Sequence, residues 1–215
     1  RVLGNSVDAG PLWAHLMGFA WKSFETGGYG VAAAVVSNTE LMPLVGTNSV
    51  GQRASQSDIL FDSPLAHAEI NALLRAGGSA NGGVLYTTLS PCEMCIGAAE
   101  IVRTGRVEYL GHDPACDSLL QSVGYGDDRI LAAVSPVGIE WATLAEILPL
   151  TRSLLRRPSQ ASKTAAAYAL RNPELLSAAR CLAESGDVLS SLGGSPQLAV
   201  KALSALKPTN PTGHF

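Results

Sequence analysis

Two short segments constrain this chain more than anything else in it: His67-Ala68-Glu69 and Pro91-Cys92-Glu93-Met94-Cys95. Each falls within the first turn or so of a predicted helix, and a predicted strand, Val84 to Leu89, lies between them. A zinc ion takes about four ligands in tetrahedral array, and a catalytic zinc keeps one position for water. One imidazole (His67) and two thiolates (Cys92, Cys95) supply the other three. Cys92 and Cys95 lie three apart on a helix, hence on one face. Helix N-termini carry partial positive charge and unpaired N–H groups, which favours thiolate over thiol there.

Glu69 stands two residues beyond His67 and need not share the metal. Its carboxylate can take a proton from water held at the open position, then pass it to a ring nitrogen and a departing amine. Neither segment is decisive alone. C-x-x-C also fits a redox pair or a structural zinc knuckle, and H-x-E fits a capped or core histidine. The combination, a strand before P-C-x-x-C and the histidine one helix-plus-strand upstream, is far more specific and resembles the motif pair of zinc-dependent deaminases.

The local pattern along the chain supports a layered sheet. Leu12, Leu16, Phe19 and Ala20 have helical spacing, and Val31 to Ser37 reads as a buried strand with Leu41 to Val45 as a hairpin partner. Ser63-Pro64 predicts a helix start running to about Arg75, and Ser90-Pro91 predicts a second running to about Thr104. Arg106 to Leu110 reads as a strand, Asp117 to Val123 as a helix, and Val137 to Trp141 as a last strand. Strands alternating with helices argue for an α/β sheet. After about Leu150, Ala, Leu and Ser dominate. Helices are expected over Ser162 to Arg171, Pro173 to Glu184 and Pro196 to Leu206, with a disordered tail from Pro208. The expected organisation is a zinc-dependent deaminase domain over 1–150 and a C-terminal helical extension over 151–215.

Composition limits the partners. Of 215 residues, 47% are apolar and 15% charged, enough for a proper core. A net charge of -3 gives nucleic-acid binding no support. The one basic cluster, Arg152, Arg156 and Arg157, reads as a solvated helix end. No apolar run approaches the roughly 20 residues that cross a bilayer, and no signal-peptide pattern is seen. A cytoplasmic location is expected. Cys116 reads as a loop thiol and Cys181 as a core residue.

His67-Ala-Glu-Ile-Asn-Ala-Leu and Leu85-Tyr-Thr-Thr-Leu-Ser-Pro-Cys-Glu-Met-Cys-Ile-Gly-Ala resemble the cytidine deaminase-like superfamily, most of all the branch of tRNA adenosine deaminases and guanine deaminases. The resemblance covers about Leu12 to Leu148. It implies a three-layer α/β/α sandwich with a mixed five-stranded sheet, a Zn2+ cofactor, and a homodimer. It implies substrate contacts from Asn48 and from Ala68 beside the base; Asp113, in the loop after Leu110, reads either as a purine-edge contact or as a loop cap. Two positions depart from the pattern. Ser90 stands where relatives often have Glu, and is read as a helix cap. His112-Asp113-Pro114-Ala115-Cys116-Asp117 replaces the Lys-Thr-Gly stretch of tRNA deaminases.

The expected activity is therefore hydrolytic deamination of a small nucleobase or nucleoside, guanine or another aminopurine first. Adenosine deamination in tRNA and a non-catalytic zinc interaction domain are the alternatives.

Overall fold

The computed structural model describes residues 10–53, 58–116, 130–132, 138–156 and 163–205. The expected helix over Asp117 to Val123, Arg157 and the tail from Pro208 lie outside these residues.

Helix α1 (Gly10–Glu25) buries Trp13, Leu16, Met17, Ala20, Trp21 and Phe24, a stripe at helical spacing. Strand β1 (Ala32–Val36) follows and pairs antiparallel with β2 (Leu44–Thr47) on one side and β3 (Val84–Leu89) on the other. Strand β3 pairs parallel with β4 (Arg106–Gly111), and a three-residue strand β5 (Ile130–Ala132) adds to β4 in parallel. The sheet is mixed and open, in the order β2-β1-β3-β4-β5. Parallel neighbours need a crossover, and helix α3 (Glu93–Ile101) supplies it between β3 and β4.

Helices cover both faces, because successive side chains of a strand point to opposite sides. Ala32, Ala34 and Tyr86 join one apolar cluster with α1 and helix α4 (Ile139–Arg156). Ala33, Val35 and Leu85 join a second with helix α2 (Ala68–Ala76) and α3. The run of alanines in β1 is what lets helices approach both faces closely. Gly46 extends that logic on β2: a Cβ there would stand 2.3 Å from the Ala72 nitrogen and 2.5 Å from the Ala68 carbonyl oxygen.

Helices α5 (Lys163–Arg171), α6 (Pro173–Glu184), α7 (Val188–Ser191) and α8 (Pro196–Ala205) complete the described chain. Tyr168, Leu175, Leu176, Ala179, Val188 and Leu203 are buried in the same cluster as α1 and α4. Asn172 caps α6 by accepting from the Leu175 N–H at 3.1 Å, with Pro173 in the first turn.

Several local expectations fail for tertiary reasons. Residues 139–141 open α4 rather than ending a strand, and the last strand among the described residues is β5. Helix α2 starts at Ala68, not at Ser63; the Ser63 side chain instead accepts from Leu65 N–H within a turn. Helix α3 starts at Glu93 with Cys92 as N-cap, and ends at Ile101. Cys181 is exposed, not in the core. Among the described residues no helix is long and apolar enough to cross a membrane.

Candidate active site

His67 and Cys92 are the N-cap residues of α2 and α3, and neither side chain makes a capping hydrogen bond. Both are thereby free to turn away from their helices and meet. The His67 Nδ1 lies 3.6 Å from Cys92 Sγ and 3.5 Å from Cys95 Sγ, and the two sulfurs are 3.6 Å apart. Zn–S bonds of about 2.3 Å and Zn–N bonds of about 2.0–2.1 Å at tetrahedral angles require edges of roughly 3.6–3.8 Å. The triangle therefore has the size of one face of a zinc tetrahedron. It is also the one cluster of three or more metal-ligating side chains among the described residues. The donor set, one imidazole and two thiolates, suits Zn2+.

The sulfurs are electrostatically unequal. Cys92 is pulled down to about 4, chiefly by its hydrogen bond with Cys95 and then by His67, against the effect of burial. Cys95 moves the other way, because Cys92 takes its proton's hydrogen bond and burial disfavours a second thiolate. For His67, burial works downward, but the hydrogen bond with Cys92 and the charges of Glu69 and Cys92 outweigh it and the pKa rises.

Glu69 is the second residue of α2 and 4% exposed. Its Oε1 accepts from the Thr87 hydroxyl at 2.9 Å, and Oε2 lies 3.4 Å from Cys95 Sγ. Burial raises its pKa, opposed by the charge of His67. Thr87 reaches it because Gly46, Ala33 and Thr87 are register partners across the sheet, on the face that α2 covers.

The site opens into a cavity of about 420 Å³, within the range of small-molecule pockets. His67, Glu69 and Cys92 line its floor, and Asn48, Ser90 and Asp113 line its sides. It sits past the carboxyl ends of β3 and β4, where ligands bind in open α/β sheets. Ser90 is not a helix cap: its hydroxyl accepts from the Asp113 N–H at 2.7 Å, holding the loop after β4 against the turn after β3. The Asp113 carboxylate accepts from Ala115 N–H at 2.9 Å and lines the cavity.

Asn48 is oriented without ambiguity. Its Oδ1 receives the backbone N–H groups of Tyr29 at 3.2 Å and Val50 at 3.3 Å, so that atom is the oxygen. The edge left for the cavity is the Nδ2 donor. Ala68 behaves differently: it is fully buried in the apolar cluster between α2 and the sheet, and is not among the cavity-lining residues. One residue past the N-cap, its Cβ points at the sheet.

Sequence reasoning missed the cavity wall made by α4 and α5, which contributes Ser153, Arg156, Thr164 and Tyr168. It also misread Arg152 and Arg156, which donate to backbone carbonyls instead of facing solvent alone. Glu146 on α4 was not singled out, yet it accepts the His112 N–H at 2.9 Å.

These features define a metal-dependent site with a carboxylate beside it. Residues 13–110 match the family described as the cytidine and deoxycytidylate deaminase zinc-binding region. His67, Cys92 and Cys95 lie inside the matched residues. Cytosine deaminase of Candida albicans is 30% identical over 104 residues, which are 44% of this chain. The chain spans 64% of the length of that relative. Among solved structures, guanine deaminase from Nitrosomonas europaea is 20% identical with a TM-score of 0.46, covering 69% of this chain and 87% of that one. A structure from work on A-to-I editing by tRNA:A34 deaminases is 21% identical with a TM-score of 0.46, covering 58% of this chain and 96% of that one.

Proposed function

We propose that this protein deaminates a small nucleobase or nucleoside hydrolytically, with guanine or a related aminopurine as its first substrate. One observation carries the reading: a buried carboxylate, Glu69, is fixed by Thr87 beside the His67, Cys92 and Cys95 triangle and faces the cavity. A purely structural metal site has no use for such a group.

In this reading His67, Cys92 and Cys95 hold Zn2+, which when bound supplies a Lewis acid that brings the pKa of water towards about 7. Glu69 takes a proton from the attacking water. A C–O bond forms at the amine-bearing ring carbon, Glu69 passes that proton to the ring nitrogen, and it then takes the proton of the new C–OH group and delivers it to the leaving amine. The C–N bond breaks, ammonia departs, and a carbonyl remains. Asn48 Nδ2 offers a donor to a ring oxygen or nitrogen, and Asp113 offers an acceptor to an N–H edge. The helices after residue 150 belong to the proposal as an extension that closes one side of this pocket.

An ammonia-release screen of the zinc-loaded protein against guanine, adenine, cytosine and their nucleosides tests the reading. Glu69→Ala should keep zinc and fold and lose release. Undiminished release in that variant sinks the assignment of Glu69. Release from tRNA alone, lost steeply with added salt, sinks the small-molecule substrate.

A further inference from the structure

Helices α4 and α5 do more than wall the cavity. Two of their cavity-lining residues reach the backbone of the loops that carry Asn48 and Asp113. The Arg156 Nη2 donates to the carbonyls of Gly27 and Val50, each at 2.7 Å, and its guanidinium lies 4.7 Å above the Tyr29 ring. Gly51 makes room for it: with φ at 70°, a Cβ there would stand 2.5 Å from Nη2. One turn earlier, Arg152 donates through Nε to the Gly28 carbonyl at 2.9 Å and through Nη2 to that of Phe24. Among the described residues neither arginine has an acidic partner within ion-pair distance. Their hydrogen bonds go to the end of α1 and the turn after it, which ends at the Tyr29 N–H that Asn48 accepts, and, from Arg156, to Val50 just after Asn48.

The other loop is held from the same side. The Tyr168 hydroxyl donates to the His112 carbonyl at 2.9 Å, and Tyr168 is only 2% exposed. The Glu146 carboxylate takes the His112 N–H, and Ser90 takes the next N–H, that of Asp113. Backbone groups on both sides of the His112–Asp113 peptide are thus fixed, and the Asp113 carboxylate is presented to the cavity with little freedom.

We propose that Arg156 and Tyr168 are positioning residues, each holding one of the two loops that present Asn48 and Asp113, so that the C-terminal helices tune substrate recognition and not the chemical step. The catalytic half of this statement rests on the deaminase reading; the loop-holding half does not.

The test uses the full zinc-loaded chain and three variants: Arg156→Met, Tyr168→Phe, and Leu203→Ala as a control in the same buried cluster but outside the cavity lining. With the best substrate of the screen, KM should rise about fivefold in Tyr168→Phe and about tenfold in Arg156→Met, as expected for one hydrogen bond and for two charge-assisted ones. In both, kcat should stay within about twofold and zinc content should not change. Backbone hydrogen exchange should quicken over residues 44–53 in Arg156→Met alone, and over residues 106–116 in Tyr168→Phe alone. Arg156→Lys should recover part of the lost KM. Leu203→Ala should lower the melting temperature and leave KM and both local exchange rates unchanged.

Unchanged KM with unchanged local exchange overturns the proposal. So does a fall in kcat with loss of zinc, or a uniform rise in exchange like that of the control. If wild-type protein deaminates nothing in the screen, the functional reading fails, and the exchange pattern alone decides whether these residues hold the loops.

Discussion

The Thr87 hydroxyl donates to Glu69 Oε1 at 2.9 Å, from the sheet to the first turn of α2, and both side chains are buried. The relationship fixes which carboxylate oxygen remains for work at the cavity. Thr87→Val keeps the shape and deletes the donor. A hydrogen bond to a charged group contributes about 1.5–3 kcal/mol, so kcat should fall at least about tenfold. Zinc content, by metal analysis, should be unchanged. Full activity in Thr87→Val means that Glu69 is aimed by something else.

Glu146 gives the protein a pH signature. Burial raises it to about 7, the His112 N–H opposes this, and the charge of Asp113 adds to it. Between its ordinary value of 4.5 and about 7, the unfolded chain has released this proton while the folded chain keeps it. The unfolded state binds fewer protons there, so stability falls as pH rises through the window and levels off above about 7. The whole drop is about 3 kcal/mol. Glu146→Gln keeps an acceptor for His112 and should flatten that slope. Urea unfolding of both proteins at about pH 5 and about pH 8 checks it, and parallel pH dependences reject it.

Asn71 should be among the least replaceable residues outside the metal site. It is fully buried, donates to the carbonyls of Thr47 at 3.1 Å and Leu60 at 3.0 Å, and accepts from the Leu60 N–H at 2.8 Å. Asn71→Ala leaves three half-buried backbone groups without this partner and should cost about 3 kcal/mol. Gly46→Ala should act on the same contact by another route, forcing α2 off β2 and carrying His67 with it. Its expected mark is weaker zinc affinity in a chelator competition, which Asn71→Ala should share. Wild-type affinity in Gly46→Ala counts against the sheet contact as what places His67.

Metal removal should expose one thiol selectively. With the ion chelated, Cys92 lies at about 4 while burial and Cys92 itself keep Cys95 protonated. In a Cys116→Ser, Cys181→Ser background, an alkylating reagent should therefore label Cys92 and spare Cys95 below about pH 7. Zinc-loaded protein should resist at both. Equal labelling by peptide mass spectrometry would show that the two sulfurs are not differentiated in this way.

The metal triangle was legible in the sequence because its spacing is short and local: two cysteines three apart, and a histidine two before a glutamate. The helix starts were not. Ser63 and Ser90 look like caps, but Ser90 is claimed by Asp113, a partner 23 residues away that no local rule anticipates. The arginines show the same limit more strongly. The carbonyls they bind lie 106 to 129 residues earlier, and a cation bonded to backbone leaves no charge pattern in sequence.

The bare N-caps of α2 and α3 have a consequence for evolution and for engineering. A serine at His67 or Cys92 would satisfy a helix end that the native residue leaves uncapped, a gain of about 1 kcal/mol in the metal-free protein. Selection for thermal stability alone would thus erode the centre one residue at a time, each step improving the scaffold it disables. Retention of two poor caps at the two places where the sheet layer meets the cavity marks where this chain has put function ahead of robustness.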